Sequence, residues 1–156
     1  QPGLVDNSSG RLPNDRAHTL KAWGSYQFSN GLRIGSSLLA QSGRPISCFG
    51  VHPTDVFAAD YGASSHFCQG RSVGRGSLGR TNTLTNVDMN LQYDLEVSGR
   101  NVLLSMDVFN VLNSARITRF NETGDTFGGD VEPNYGLPEA FQSPRAIRFS
   151  ARFNLF

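Results

Sequence analysis

The feature that most constrains the fold is the occurrence of apolar residues at every second position, which recurs in five separate windows. In the clearest window, beginning at Val87, residues of one parity are apolar and those of the other are Asp, Asn and Gln. Such a period places alternate side chains on opposite faces of a β-strand, whereas an amphipathic helix repeats about every 3.6 residues. The sequence therefore predicts an all-β chain with two-faced strands. The predicted strands are residues 17–28, 31–42, 83–95, 101–111 and 145–155.

Two short connections predict tight hairpins. Gly31 can adopt the left-handed conformation that closes a three-residue turn, and Ser98 and Gly99 lie at the centre of the second connection. Pairing Leu91 with Met106 across the second hairpin places apolar residues opposite apolar residues. The five strands are therefore predicted to form one antiparallel meander, with both tight turns at the same end.

The strands are long, and their connections alternate in length. Each predicted strand has about 10 to 12 residues, close to the roughly 9 to 11 tilted residues that cross an outer membrane and about twice the usual soluble length. The other two connections, at about 43–82 and 112–143, are rich in Gly, Pro, Asn and Asp. Short turns alternating with long extracellular loops are typical of transmembrane β-barrels. This pattern favours a barrel over the alternative, a soluble surface-binding or adhesin-like β-sandwich module.

Composition and charge exclude several other classes. The formal net charge is +1, which is too small for a protein that neutralises nucleic-acid phosphates. No apolar stretch is long enough for a membrane-spanning helix, and no signal peptide is visible. Because the chain begins with Gln1 rather than Met, we expect a processed protein or an internal piece of one. His18, His52 and His66 fit no catalytic motif spacing, so neither enzyme activity nor a cofactor is predicted.

Several motifs carry a resemblance to a known family. They are NDRAHTL (14–20), QSGRPIS (41–47), CFG (48–50), ADYG (59–62), FC (67–68), RGSLGR (75–80), MDVFNVLN (106–113) and SPRAIRF (143–149), with a terminal Phe156. In this order they resemble the C-terminal barrel region of TonB-dependent outer-membrane receptors, specifically the Oar-like group. The resemblance covers essentially the whole chain from Asn14 onward.

The resemblance implies a 22-stranded barrel with an N-terminal plug, energised by TonB, that takes up a nutrient or passes cargo across the bacterial outer membrane. Five strands cannot close a barrel, because their unpaired edges would lie in hydrocarbon without hydrogen-bond partners. Residues 1–156 are therefore predicted to be the C-terminal fragment of one barrel domain. The implied partners are the rest of the barrel, the plug, outer-membrane lipid, an unidentified ligand and the TonB complex, contacted through N-terminal residues missing from these 156.

The alternate apolar side chains of each strand are predicted to face lipid. The polar side chains between them are predicted to line the barrel interior. The lipid-facing residues are Met89, Leu91, Tyr93, Leu104, Met106 and Phe149. The resemblance also implies a C-terminal assembly signal, to which Phe153 and Phe156 are assigned. Phe156 departs from the family pattern because it shares the parity of the polar Asn154.

Cys48 and Cys68 lie in the first long loop, 20 positions apart. An extracellular loop is in an oxidising environment, so we predict a disulfide between them. The alternatives are two reduced thiols or a metal site that adds His52 and His66, although the spacing matches no compact zinc motif.

A second metal hypothesis concerns residues 121–132, which have the length of a calcium-binding loop. Thr126 stands where that loop needs Gly for its turn. No metal site is therefore predicted.

The two long loops carry opposite charge. The first has a net charge of +2 and the second of −3. One interpretation, which we favour, is that the loops pack against each other and are otherwise solvated. The other is a ligand-gathering surface. Its candidate residues are Arg44, Phe49, Phe57, Tyr61, Phe67, Arg75 and Arg80.

Overall fold

The structure, a computed structural model, describes residues 2–97 and 99–153. No helix in these ranges is long and apolar enough to cross a membrane. In chain order the elements are a 3-10 turn (Pro2–Val5), β1 (Thr19–Gln27), β2 (Leu32–Gln41), α1 (Val56–Ala59), β3 (Phe67–Cys68), β4 (Arg71–Ser72), β5 (Leu84–Val97), β6 (Arg100–Phe109), β7 (Ile117–Phe120), β8 (Pro138–Phe141) and β9 (Ala146–Phe153).

The described residues divide into two compact units. The sheet unit comprises residues 18–41, 84–115 and 142–153. The loop unit comprises residues 2–17, 42–83 and 116–141.

The sheet unit is one five-stranded antiparallel sheet in the order β1-β2-β5-β6-β9. The predicted fold class is therefore confirmed. The predicted strand limits agree with the observed ones to within two residues wherever the structure describes them. The hairpin registers are also as predicted, since Leu91 lies opposite Met106 and Tyr26 opposite Ile34.

Both tight turns lie at the same end of the sheet. Gly31 and Gly99 have φ values of 86° and 73°, the left-handed region that glycine adopts without steric cost. The Asp94 amide donates to the Gly31 carbonyl at 3.3 Å, so the first turn lies beside the end of β5. Both long connections consequently leave and rejoin the sheet at its opposite end.

The two faces of the sheet differ in chemistry along each row of paired residues. One row places Ile34, Leu91, Met106 and Phe149 side by side. The next row, on the other face, contains Gly35, Asn90, Asp107 and Arg148. A β-sandwich needs a second sheet packed on the apolar face. The described strands of this unit form a single sheet.

The loop unit contains short elements that the sequence pattern did not predict. β3 pairs with β4, β7 pairs with β8, and α1 is a single helical turn. The Asp55 carboxylate caps α1 by accepting from the amides of Phe57 and Ala58, at 3.0 and 3.3 Å. Strands of two to four residues are too short to show a periodic signal, which is why these elements were predicted as irregular loop.

Candidate functional site in the loop unit

The disulfide between Cys48 and Cys68 closes the first long connection. The two Cα atoms are 5.6 Å apart, and Cys48 is completely buried. Gly124, from the second connection, packs against the disulfide, and a Cβ atom at this position would collide with the Cys48 Sγ. The sulfur atoms are bonded to each other and are therefore not thiolate metal ligands.

A buried carboxylate joins the two connections beside the disulfide. Asp125 is only 2% exposed. Its two oxygens accept hydrogen bonds from the backbone amides of Val51 and Gln69, each at 3.0 Å. Because these amides follow the two cysteines closely, Asp125 fixes both arms of the disulfide-closed loop.

An ion pair makes a further connection between the same two segments. The Nη2 of Arg44 donates to both carboxylate oxygens of Glu122 at 2.7 Å. Glu122 also accepts from the Ser47 amide at 3.3 Å. Loop-to-loop packing, the interpretation favoured from the opposite charges, is therefore present within this unit.

Two more arginines lie near Arg44. Arg80 pairs with Asp15 and also donates to the Gly43 carbonyl at 2.9 Å. Arg16 donates to the Ser42 carbonyl at 3.1 Å. Burial, followed by repulsion from Arg44 and Arg80, lowers the pKa of Arg16. The contacts of Arg16 and Arg80 therefore link residues near position 15 to residues 42 and 43 within the loop unit.

The two buried histidines have structural partners. Nδ1 of His52 accepts from the Asp55 amide at 2.9 Å, so the neutral ring carries its proton on Nε2, which lies 3.3 Å from the Asp6 carboxylate. His66 Nε2 accepts from Arg75 Nε at 3.3 Å. Burial and the neighbouring Arg75 cation lower the pKa of His66. No group of three or more His, Cys, Asp or Glu residues within the described part of the chain has metal-binding geometry.

The structure separates the seven candidate ligand residues into two sets. Arg44, Arg75 and Arg80 make the internal contacts given above. Phe49 lies 5.0 Å from the His66 ring and Phe67 lies 4.6 Å from the His52 ring, measured between ring centroids.

The other two candidates are aromatic residues at the surface. Phe57 is 70% exposed and Tyr61 is 55% exposed. Phe127, which the sequence did not single out, is 76% exposed and lies against Gly62. Its place beside the first connection depends on the fold of two distant segments, which no local pattern encodes.

The predicted lipid-facing residues share one face of the sheet unit. Tyr93 lies opposite Leu104, and Met106 opposite Phe149. Phe149 is the most exposed of the six, whereas Met89, Leu91 and Met106 are half-buried by their neighbours. Of the assigned assembly signal, Phe153 is exposed on the same face, and Phe156 lies outside the described residues.

Comparison with known proteins gives one distant relative. The chain is 28% identical to the TonB-dependent transporter Oar of Myxococcus xanthus over 190 aligned positions, which cover 96% of this chain and 17% of the relative. The chain therefore spans about a sixth of the length of the curated relative that it matches. No family model and no solved structure matches.

At this identity, the similarity indicates a distant, TonB-dependent receptor-like relationship and no more.

Proposed function

We propose that this chain forms five neighbouring strands at the C-terminal end of a TonB-dependent transporter barrel of the Oar-like group, integral to the bacterial outer membrane. The whole protein would take up a nutrient or pass a cargo across that membrane. The observation that carries the proposal is the two-faced sheet, whose strands have 8 to 14 described residues and whose tight turns share one end.

The exposed apolar face supports a lipid environment. It includes Leu20, Tyr26, Ile147, Phe149 and Phe153, each between 55% and 74% exposed. A continuous apolar surface of this kind is unfavourable in water. In a bilayer it would contact acyl chains, and the polar face would line the interior.

The edges of the sheet support further strands as partners. Among the described residues, neither β1 nor β9 pairs with another strand along its outer edge. Each backbone group that lacks a hydrogen-bond partner in hydrocarbon costs on the order of several kcal/mol. The rest of the barrel would satisfy them, and Phe153 with Phe156 would serve as the assembly signal.

The loop unit would lie outside the cell and contribute to ligand recognition. Phe57 and Tyr61 are the two of the seven candidate residues that are exposed, so the proposed ligand surface is narrowed to them and extended by Phe127, which is also exposed. The plug and the TonB contact would belong to segments outside the aligned sixth of the relative.

The test of the lipid face uses neighbouring residues on opposite faces. In the whole barrel that contains this chain, with Trp23 and every other tryptophan replaced by Phe, Leu91→Trp and Asn90→Trp are compared in vesicles with and without brominated lipids. Bromine quenches tryptophan only on contact. Quenching of Leu91→Trp, with little effect on Asn90→Trp, is the expected result.

Equal quenching at both positions, or none at either, would contradict a membrane-spanning sheet. The soluble β-sandwich predicts the second of these outcomes. In that case the protein would also remain in solution without detergent.

A further inference from the structure

The polar face of the sheet unit contains an open cleft of about 500 Å³. Trp23, Ser37, Asp88 and Phe109 form one row across its floor, on the consecutive strands β1, β2, β5 and β6. Ser25 and Gly35 lie in the next row, and because both residues are small they leave space above the sheet. Aromatic side chains therefore stand on both sides of a floor of small residues.

One half of the cleft already holds a cation. The guanidinium carbon of Arg148 lies 5.5 Å from the centroid of the Phe109 ring. Its Nη2 donates to Oδ2 of Asp107 at 2.8 Å, and Asn90 donates to the other carboxylate oxygen at 2.6 Å. An aromatic ring and a carboxylate thus bind an arginine side chain here, a combination with well-known attraction for guanidinium groups.

The other half has the same two chemical groups without a cation. Trp23 is 81% exposed. Oδ1 of Asp88 accepts from the amide of Asn110 and the side chain of Asn86, both at 2.8 Å. Within the described ranges, Oδ2 accepts no hydrogen bond, and Asp88 forms no ion pair. The space between the two groups lies above Ser37, and their backbones are about 10 Å apart because two strand spacings separate them.

We propose that this second half of the cleft binds an arginine or lysine side chain of an extended, basic polypeptide segment. Of the two carboxylates that line the cleft, Asp107 is paired with Arg148, and Asp88 is left to attract such a group. Three strand spacings, about 14 Å, separate Trp23 from Phe109, and this width admits an extended chain rather than a lone amine. The inference rests on the proposed function in one respect: the polar face is accessible while lipid covers the other face.

The test uses tryptophan fluorescence, because Trp23 is the single tryptophan and its emission reports on the cleft. The whole barrel that contains this chain, with its tryptophans outside these 156 residues replaced by Phe, is titrated in detergent micelles with the blocked peptide Gly-Ser-Arg-Ser-Gly. The control peptide carries citrulline, which has the shape of arginine but no charge. We expect a saturable change with the arginine peptide and about tenfold weaker binding of the citrulline peptide.

Two variants and a matched control locate the site. Asp88→Asn should weaken binding of the arginine peptide about tenfold. Asp94→Asn removes a carboxylate from the same face of the same strand, outside the cleft, and should leave binding unchanged. Ser37→Arg supplies a guanidinium from within the chain and should abolish binding.

Equal binding of the two peptides, or equal weakening by Asp88→Asn and Asp94→Asn, would overturn the proposal. If the Asp88→Asn variant does not assemble, the Ser37→Arg variant is the deciding test. Normal peptide binding to Ser37→Arg would show that the peptide does not bind in the cleft. Quenching by brominated lipids distinguishes a failure of this inference from a failure of the proposed function. Peptide binding without quenching at Leu91→Trp would overturn the proposed membrane barrel and support the peptide-binding cleft. Quenching at Leu91→Trp without peptide binding would support the barrel and overturn the cleft.

Discussion

Arg44 and Glu122, 78 positions apart in the chain, form a doubly hydrogen-bonded ion pair whose side chains are only 14% and 11% exposed. They come from the two long connections, whose opposite net charges were visible in the sequence. A shielded pair of this kind is costly to break on one side, because the remaining charge loses both its partner and its water. The pair therefore contributes to holding the two segments in one unit.

Glu122→Gln should lower the stability of the loop unit by about 2 to 3 kcal/mol. The variant leaves the Arg44 guanidinium without a counter-charge in a shielded position. Glu139→Gln is the matched control, because Glu139 pairs with Arg119 at 2.8 Å but both side chains are about half exposed. It should cost at most about 1 kcal/mol. Limited proteolysis in increasing urea measures both, and equal costs would contradict the role given to Arg44 and Glu122.

Asp125→Asn should loosen the disulfide-closed loop although it preserves shape. The amide oxygen can accept from only one of the Val51 and Gln69 amides, and the new NH₂ group then faces the other donor. Loss of one such buried hydrogen bond should cost about 1 to 3 kcal/mol. Hydrogen exchange of these two amides should accelerate together with loss of stability. Unchanged protection of both would show that Asp125 does not hold this loop.

The sheet was predictable because each strand carries its own information. A strand with one apolar and one polar face alternates throughout, and the left-handed glycines Gly31 and Gly99 mark the turns that set the registers. The limits were harder to place: β5 continues to Val97, two residues beyond the predicted end, because alternation weakens at the turn.

The loop unit was predictable only in outline. The presence of both cysteines in one predicted extracellular loop indicated the disulfide, and the opposite charges indicated packing. The specific partners of Asp125 are 56 and 74 positions away, and backbone amides carry no signal in the sequence. For the same reason, the sequence could not distinguish the arginines that make internal contacts from the aromatic residues at the surface.

The stability of the loop unit should fall as the pH decreases below about 6.5. Burial and the Arg75 cation lower the pKa of His66 from the ordinary histidine value of 6.5. Below that value the unfolded chain binds a proton that the folded chain does not, so protonation favours unfolding. Urea midpoints at about pH 7.5 and 5.5 measure the effect. His66→Gln should flatten this dependence, and an equally steep dependence in the variant would assign it to another group.

Leu91→Arg should reduce bilayer stability by about 2 to 4 kcal/mol, because it places a charge on the proposed lipid face near the middle of its strand. Gln92→Arg introduces the same side chain at the next position, on the polar face, and should cost much less. Refolding titrations into lipid vesicles compare the two. Similar costs at both positions would argue against a lipid-facing side of the sheet.

Replacing both cysteines, Cys48→Ser with Cys68→Ser, should open the loop unit and leave the sheet assembled. A disulfide that spans 20 positions should contribute about 3 kcal/mol by restricting the unfolded chain. The residue pairs that define the five-stranded sheet include neither cysteine, so its registers do not depend on the bond.

Trypsin should therefore cleave the loop unit of the variant faster, while the protein still inserts into vesicles and keeps a heat-dependent gel mobility. In the whole receptor, ligand or partner binding should weaken, because Phe57 and Tyr61 lie between the two cysteines in the chain. Failure of the variant to insert would mean that the disulfide is needed for assembly, and unchanged binding of every tested ligand would remove the loop from the proposed recognition surface.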